Sequence, residues 1–203
     1  SASSSGGGVH LFAWSELSMS NVEITGNTTT HDGAGIYANW DDNILNLVNC
    51  TVGGNTSSAD NKYALYWEGD DNTLTIVNTI IWNPDLSSIY MDTDGGWDDQ
   101  VINVAGSVLQ GGIAGGISTD DASSVDQNIS GMVTGQDPAF VNTSGGDYSI
   151  ANSSGAISVG VDQVTFSSTT FTAPATDLAG NTRPNPANTL LDAGAYENIN
   201  GIA

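Results

Sequence analysis

The chain has 203 residues, with 23 Asp and Glu against two basic side chains, Lys62 and Arg183, for a formal net charge of −21 at pH 7. That balance repels phosphates, so it excludes nucleic acid as an electrostatic partner and disfavours anionic membranes, while it invites divalent cations. No apolar run is long enough to cross a bilayer, so no direct membrane insertion is expected, and a single cysteine, Cys50, excludes a disulfide framework.

The opening Ser1-Ala2-Ser3-Ser4-Ser5-Gly6 lacks the make-up of a signal peptide and reads as a mature or truncated piece already inside a repeat. Gly6-Gly7-Gly8-Val9-His10-Leu11 returns as Gly33-Ala34-Gly35-Ile36-Tyr37-Ala38, then as Tyr63-Ala64-Leu65-Tyr66-Trp67 and, loosely, as Ser88-Ile89-Tyr90-Met91. The anchors Val9, Ile36, Leu65 and Ile89 lie 27, 29 and 24 residues apart. A second anchor moves in step, as Leu17 and Met19, Leu45 and Leu47, Leu74 and Ile76. Self-similarity at this period marks stacked supersecondary units that cannot bury their apolar faces alone. Within each unit the apolar residues alternate, which predicts strands with one buried face, and no window holds a sustained period of 3.6. Parallel crossovers are right-handed, so the expected fold is an all-β, right-handed parallel β-helix with about three strands per coil. Residues 1–112 are assigned to the repeats, and 113–203 to the last coils and a loop-rich C-terminal cap of the same domain. The length suits about five or six coils plus that segment.

Two sets of asparagines recur at corners: Asn21, Asn49 and Asn78, then Asn27, Asn55 and Asn83. Stacked amides can bond along the axis and satisfy corner backbone, so both sets read as structural ladders. Cys50, next to Asn49, reads as a packed free thiol.

Another corner carries Asp41-Asp42-Asn43, Asp70-Asp71-Asn72 and Asp98-Asp99-Gln100. Stacked carboxylates repel, and Ca2+ would relieve that cost, so Asp41, Asp42, Asp70, Asp71, Asp98 and Asp99 are candidate calcium ligands. The alternative is a solvated acidic edge. Near it lie Trp14, Trp40, Trp67 and Trp97, with Tyr37, Tyr66 and Tyr90 in a column. The tryptophans read either as a platform for sugar rings or as a stack between coils; the tyrosines read as a stack.

After Gln110-Gly111-Gly112 the repeat loosens. Three phrases follow, Asp137-Pro138-Ala139-Phe140-Val141, Gly146-Asp147-Tyr148-Ser149-Ile150 and Asp177-Leu178-Ala179-Gly180-Asn181-Thr182-Arg183-Pro184, before Leu191-Asp192-Ala193-Gly194-Ala195-Tyr196-Glu197. In this order, behind the Gly-rich repeat openings, the sequence resembles bacterial choice-of-anchor Q domain surface proteins, whose repeats look like those of polymorphic outer-membrane protein β-helices. It departs at Ser154-Gly155-Ala156-Ile157-Ser158-Val159-Gly160, where the family has a proline and an aspartate. The resemblance implies secretion, a β-helix and attachment to the bacterial cell surface, and it brings no shared catalytic residues to carry over. Arg183, among turn residues, is expected to staple carboxylates or loop carbonyls.

The expected function is therefore a non-catalytic, extracellular stalk, adhesin or matrix element. A calcium-assisted glycan-binding module is the alternative, and a carbohydrate-active enzyme is not expected, because paired acids carry little information in so acidic a chain. Expected partners are cell-surface glycans, or further copies stacking head to tail into a filament by covering the open edge of the first coil.

Overall fold

In the computed structural model residues 5–60, 62–93 and 100–199 are described, and they form a parallel β-helix. The first face stacks Val9–Phe12, Ile36–Asn39, Tyr63–Glu68, Ser87–Asp92 and Ile117–Thr119, all parallel. The second stacks Glu16–Ser20, Ile44–Val48, Thr73–Val77 and the leading parts of Gln100–Leu109 and Val125–Thr134. On the third lie Glu23–Thr25, Thr51–Gly53, Ile80–Trp82 and the trailing parts of the same two long strands.

The repeat anchors fall in register: Val9 pairs with Ile36, Ile36 with Leu65, Leu65 with Ile89 and Ile89 with Ile117. Even the loose fourth repeat keeps this pairing. On the second face Leu17, Leu45, Leu74 and Ile102 line up, as do Met19, Leu47, Ile76 and Val104. Their side chains point inward and fill one continuous core. Each fully buried aliphatic side chain contributes about 1.5–3 kcal/mol of transfer free energy.

The solenoid has about four coils, fewer than the length suggests. The reason lies after Thr134, where the chain leaves the stack and returns along its flank. A hairpin of Phe140–Asn142 and Asp147–Ile150 packs on the third face. A second hairpin, Gln163–Phe166 with Thr169–Thr172, places Val164, Phe166 and Phe171 over Val48, Val77 and Ala105. Then Gly194 N donates to Asn78 O at 2.7 Å and Ala195 N to Thr51 Oγ1 at 3.0 Å. The C-terminal segment is loop-rich as expected, but it sheathes the side of the helix instead of crossing its end. Val48, Val77 and Ala105 are the cause, since these outward apolar residues break the strand alternation and need a cover.

Candidate functional site

Three corners shape the surface. Between the second and third faces, Asn21, Asn49 and Asn78 adopt left-handed φ of 53°, 51° and 50°, the conformation that lets one residue turn the chain. Their amides face outward and hold the returning segment. Asn21 Nδ2 donates to Thr176 O at 2.7 Å, and Asn78 both donates to Val161 O and accepts from Val161 N at 2.8 Å. The one rung along the axis runs from Asn78 Nδ2 to Asn49 Oδ1, at 3.3 Å.

After the third face, Asn27, Asn55 and Asn83 form an internal ladder. Asn27 donates through N and Nδ2 to Asn55 Oδ1 (2.9 and 3.0 Å), Asn55 likewise to Asn83 Oδ1 (2.8 and 3.1 Å), and Gln110 Oε1 accepts the last rung at 3.0 Å.

The acidic corner joins the first face to the second and contains a third ladder that the aspartates concealed. Asn43 N donates to Asn72 Oδ1 at 2.7 Å, Ser15 N to Asn43 Oδ1 at 3.2 Å, and Asn43 Nδ2 to Trp40 O at 2.8 Å. Gln100 takes the next position, its Nε2 donating to Gly69 O and, at 2.7 Å, to Asp92 O, but its Oε1 accepts from no described residue, so the rungs stop at Asn72. The signal was the amide closing each acidic pair, buried completely at Asn43, Asn72 and Gln100.

Outside this ladder, Asp41 Oδ1 accepts from Asp70 N at 3.1 Å and Asp42 Oδ2 from Trp14 Nε1 at 3.0 Å. Asp71 turns the chain at φ 53°. Among the described residues no three His, Cys, Asp or Glu side chains converge as a metal-ligand group. Asp98, Asp99 and Trp97 lie outside the described residues.

The tryptophans separate. Trp67 is 0% exposed and sits in the core between Ala38 and Met91, two residues beyond the inward anchor Leu65, so it offers no sugar-binding surface. Trp14 and Trp40 are 77% and 60% exposed, and Phe12, at 61%, lies 6.4 Å from Trp40 between ring centres. Phe12, Ala13, Trp14, Trp40 and Asp41 line a shallow depression of about 270 Å³. It continues into a second of about 260 Å³ under Trp40, bordered by Asp41, Glu68 and Asp70. Gly69 permits that floor, because a Cβ there would lie 2.7 Å from the Trp40 carbonyl oxygen.

Trp14 and Trp40 hold φ of 55° and 65°. Bulky residues rarely occupy this region, which costs on the order of 1 kcal/mol that Gly or Asn would largely avoid. Their exposure leaves little burial to offset it.

Tyr37, Tyr66 and Tyr90 form a stack, with ring centres 5.7 and 5.2 Å apart and planes inclined by 22° and 26°. The Tyr37 hydroxyl donates to Glu68 and that of Tyr66 to Asp92, each reaching the next coil. Burial first, and then these carboxylates, push both phenols well above their ordinary range.

Arg183 is buried against the flank. Its Nη1 meets Glu197 Oε2 at 2.5 Å, and its Nη2 donates to Gly194 O at 2.9 Å. It thus joins a carboxylate to a loop carbonyl, with Glu197 as the ion-pair partner.

Compared with protein-family profiles, curated proteins and solved structures, the chain matches none.

Proposed function

We propose that the chain is a non-catalytic, secreted β-helical element of a bacterial cell surface, a stiff rod whose first coils bind carbohydrate. The observation that carries the binding role is the pair Trp14 and Trp40, exposed and held in a backbone conformation that disfavours them. A residue kept at a cost, without burial to repay it, points to a surface contact. Indole faces pack against the C–H faces of sugar rings, and Asp41 and Asp42 beside them accept from hydroxyl groups. The cell-surface setting rests on the family resemblance of the C-terminal phrases, and the rod on the stacked coils.

A glycan array followed by calorimetric titration tests this reading. Trp14→Gly and Trp40→Gly are expected to abolish binding while the thermal unfolding midpoint holds or rises. Repeating the titration with EDTA separates a calcium-assisted contact from a direct one. If the unaltered protein retains no glycan, the binding role fails and the rod alone remains.

End-to-end stacking of copies is a second reading, favoured by the last strand, Val125–Thr134, on which Ile129 and Met132 are exposed. Sedimentation velocity over a range of concentrations tests it; a single monomeric boundary throughout would sink it.

A further inference from the structure

Away from the aromatic corner, the first returning hairpin leaves a cleft of about 420 Å³ against the third face. Trp82, Phe140 and Tyr148 line it, together with Asp85, Asp137 and Asn55. The cleft is built. Gly53 and Gly54 form the bed on which the Tyr148 ring lies, since a Cβ on Gly54 would sit 1.8 Å from the Tyr148 hydroxyl oxygen and one on Gly53 3.0 Å from the ring. Gly53 pairs with Trp82 across the sheet, so this bed sets Tyr148 beside the indole. Phe140 meets Tyr148 edge to face, with ring centres 5.1 Å apart and planes at 73°.

Its polar groups point to a ligand. Tyr148 is 5% exposed, and its hydroxyl, which has no hydrogen-bond partner among the described residues, is open to solvent. Glu23 lies behind the lining, with Oε1 buried and unpartnered among them and Oε2 accepting from the Tyr196 hydroxyl at 3.1 Å, and adds negative charge near Tyr148. Asp85 and Asp137 are exposed, and Asp137 Oδ1 accepts only from Ala139 N, at 2.7 Å. No basic side chain lines the walls. Aromatic faces with carboxylates around them, in a chain of net charge −21, make a strongly negative recess with apolar walls. A neutral sugar would gain nothing from that potential, and an anion would be expelled.

We propose that this cleft binds an organic cation, an ammonium or quaternary ammonium group seated against Trp82, Phe140 and Tyr148 with Asp85 and Asp137 around it. Aromatic faces attract such ions through their quadrupole, most strongly where water is excluded. The group could be carried by a small molecule or by a lysine side chain of a partner protein, and the test separates the two.

Choline and its neutral carbon analogue 3,3-dimethylbutan-1-ol are titrated into the intact protein by NMR, as are peptides carrying trimethyllysine or alanine at one position. Choline or the trimethyllysine peptide is expected to saturate, with the neutral analogue or alanine peptide at least ~10-fold weaker. Saturation by choline marks a small-molecule ligand, and saturation by the peptide alone marks a protein partner. Trp82→Ala is expected to weaken binding by ~10-fold or more in a protein that still folds, at a lowered unfolding midpoint because the indole packs on the cluster beneath it. Should that variant unfold, Asp85→Asn with Asp137→Asn tests the same point by lowering affinity and its salt dependence. Equal binding of cation and neutral analogue, no saturation by either cation, or full affinity in a folded Trp82→Ala protein would overturn the proposal. Because Trp14 and Trp40 take no part here, its failure leaves the carbohydrate reading untouched.

Discussion

Arg183 Nη2 donates to Asn21 Oδ1 at 3.4 Å, across 162 residues, so the end of the chain is held at the first coil. The same guanidinium pairs with Glu197 and caps the Gly194 carbonyl, which places the sheath's one buried cation at the centre of its polar network. Removing one member of a buried pair leaves the other charge uncompensated. Arg183→Met is expected to destabilise the fold by about 3–5 kcal/mol in urea denaturation at pH 8. Adding Glu197→Gln should recover part of that loss, because it removes the stranded charge. A double variant no more stable than Arg183→Met would refute the coupling.

Glu197 gives the sheath a pH dependence of defined sign. Burial pushes its carboxyl up to about 7, neighbouring Asp192 adds to this, and Arg183 opposes it. Asp192 is also raised, chiefly by burial. A group whose folded pKa exceeds its unfolded value holds more protons when folded, so its contribution is complete below the unfolded value and is lost as pH rises through the folded one. For Glu197 that window runs from 4.5 to about 7. Stability should therefore fall between pH 5 and pH 8, by on the order of 1 kcal/mol from this group after solvent screening. Thermal melts across the range should show the slope flattened in Glu197→Gln; an unchanged slope would assign the effect to other acids.

Cys50 offers a probe of opening. Its side chain is fully buried, and burial pushes the thiol up to about 11. The thiolate is the reactive form, so the folded protein should resist thiol reagents at pH 8 and react promptly in denaturant. Labelling should follow global unfolding, because Cys50 belongs to the main core. Rapid labelling under native conditions would mean that the second coil opens on its own.

The solenoid was legible in the sequence because each coil repeats the same local choice. Val9, Ile36, Leu65 and Ile89 announced a shared register, and alternation around them fixed which side chains face inward. That rule, carried two residues past Leu65, would also have placed Trp67 in the core. The sheath was not legible, because its path depends on contacts such as Asn78 with Val161, 83 residues apart, that no local pattern encodes. A trace of it was present in Val48 and Val77, apolar where alternation calls for a polar residue. At the acidic corner the conspicuous aspartates lie outside, and the quieter Asn43 and Asn72 hold the backbone.

The internal ladder makes the sharpest stability prediction. Asn55 Oδ1 accepts two bonds from Asn27, while its Nδ2 donates to Ile24 O at 2.8 Å and to Asn83 Oδ1. Truncation to alanine strands the Asn27 backbone N–H and the Ile24 carbonyl together, both of which the buried Asn55 amide serves. Leaving buried donors and acceptors unmet costs about 1–3 kcal/mol each, so Asn55→Ala should lose roughly 2–6 kcal/mol. Asn27 lies at the first rung and its amide serves only the Asn55 oxygen, so Asn27→Ala should cost about 1 kcal/mol. Paired urea melts measure both. Equal losses would mean that the amides act as independent corner residues, whereas a larger loss at Asn55 is what a ladder with shared rungs requires.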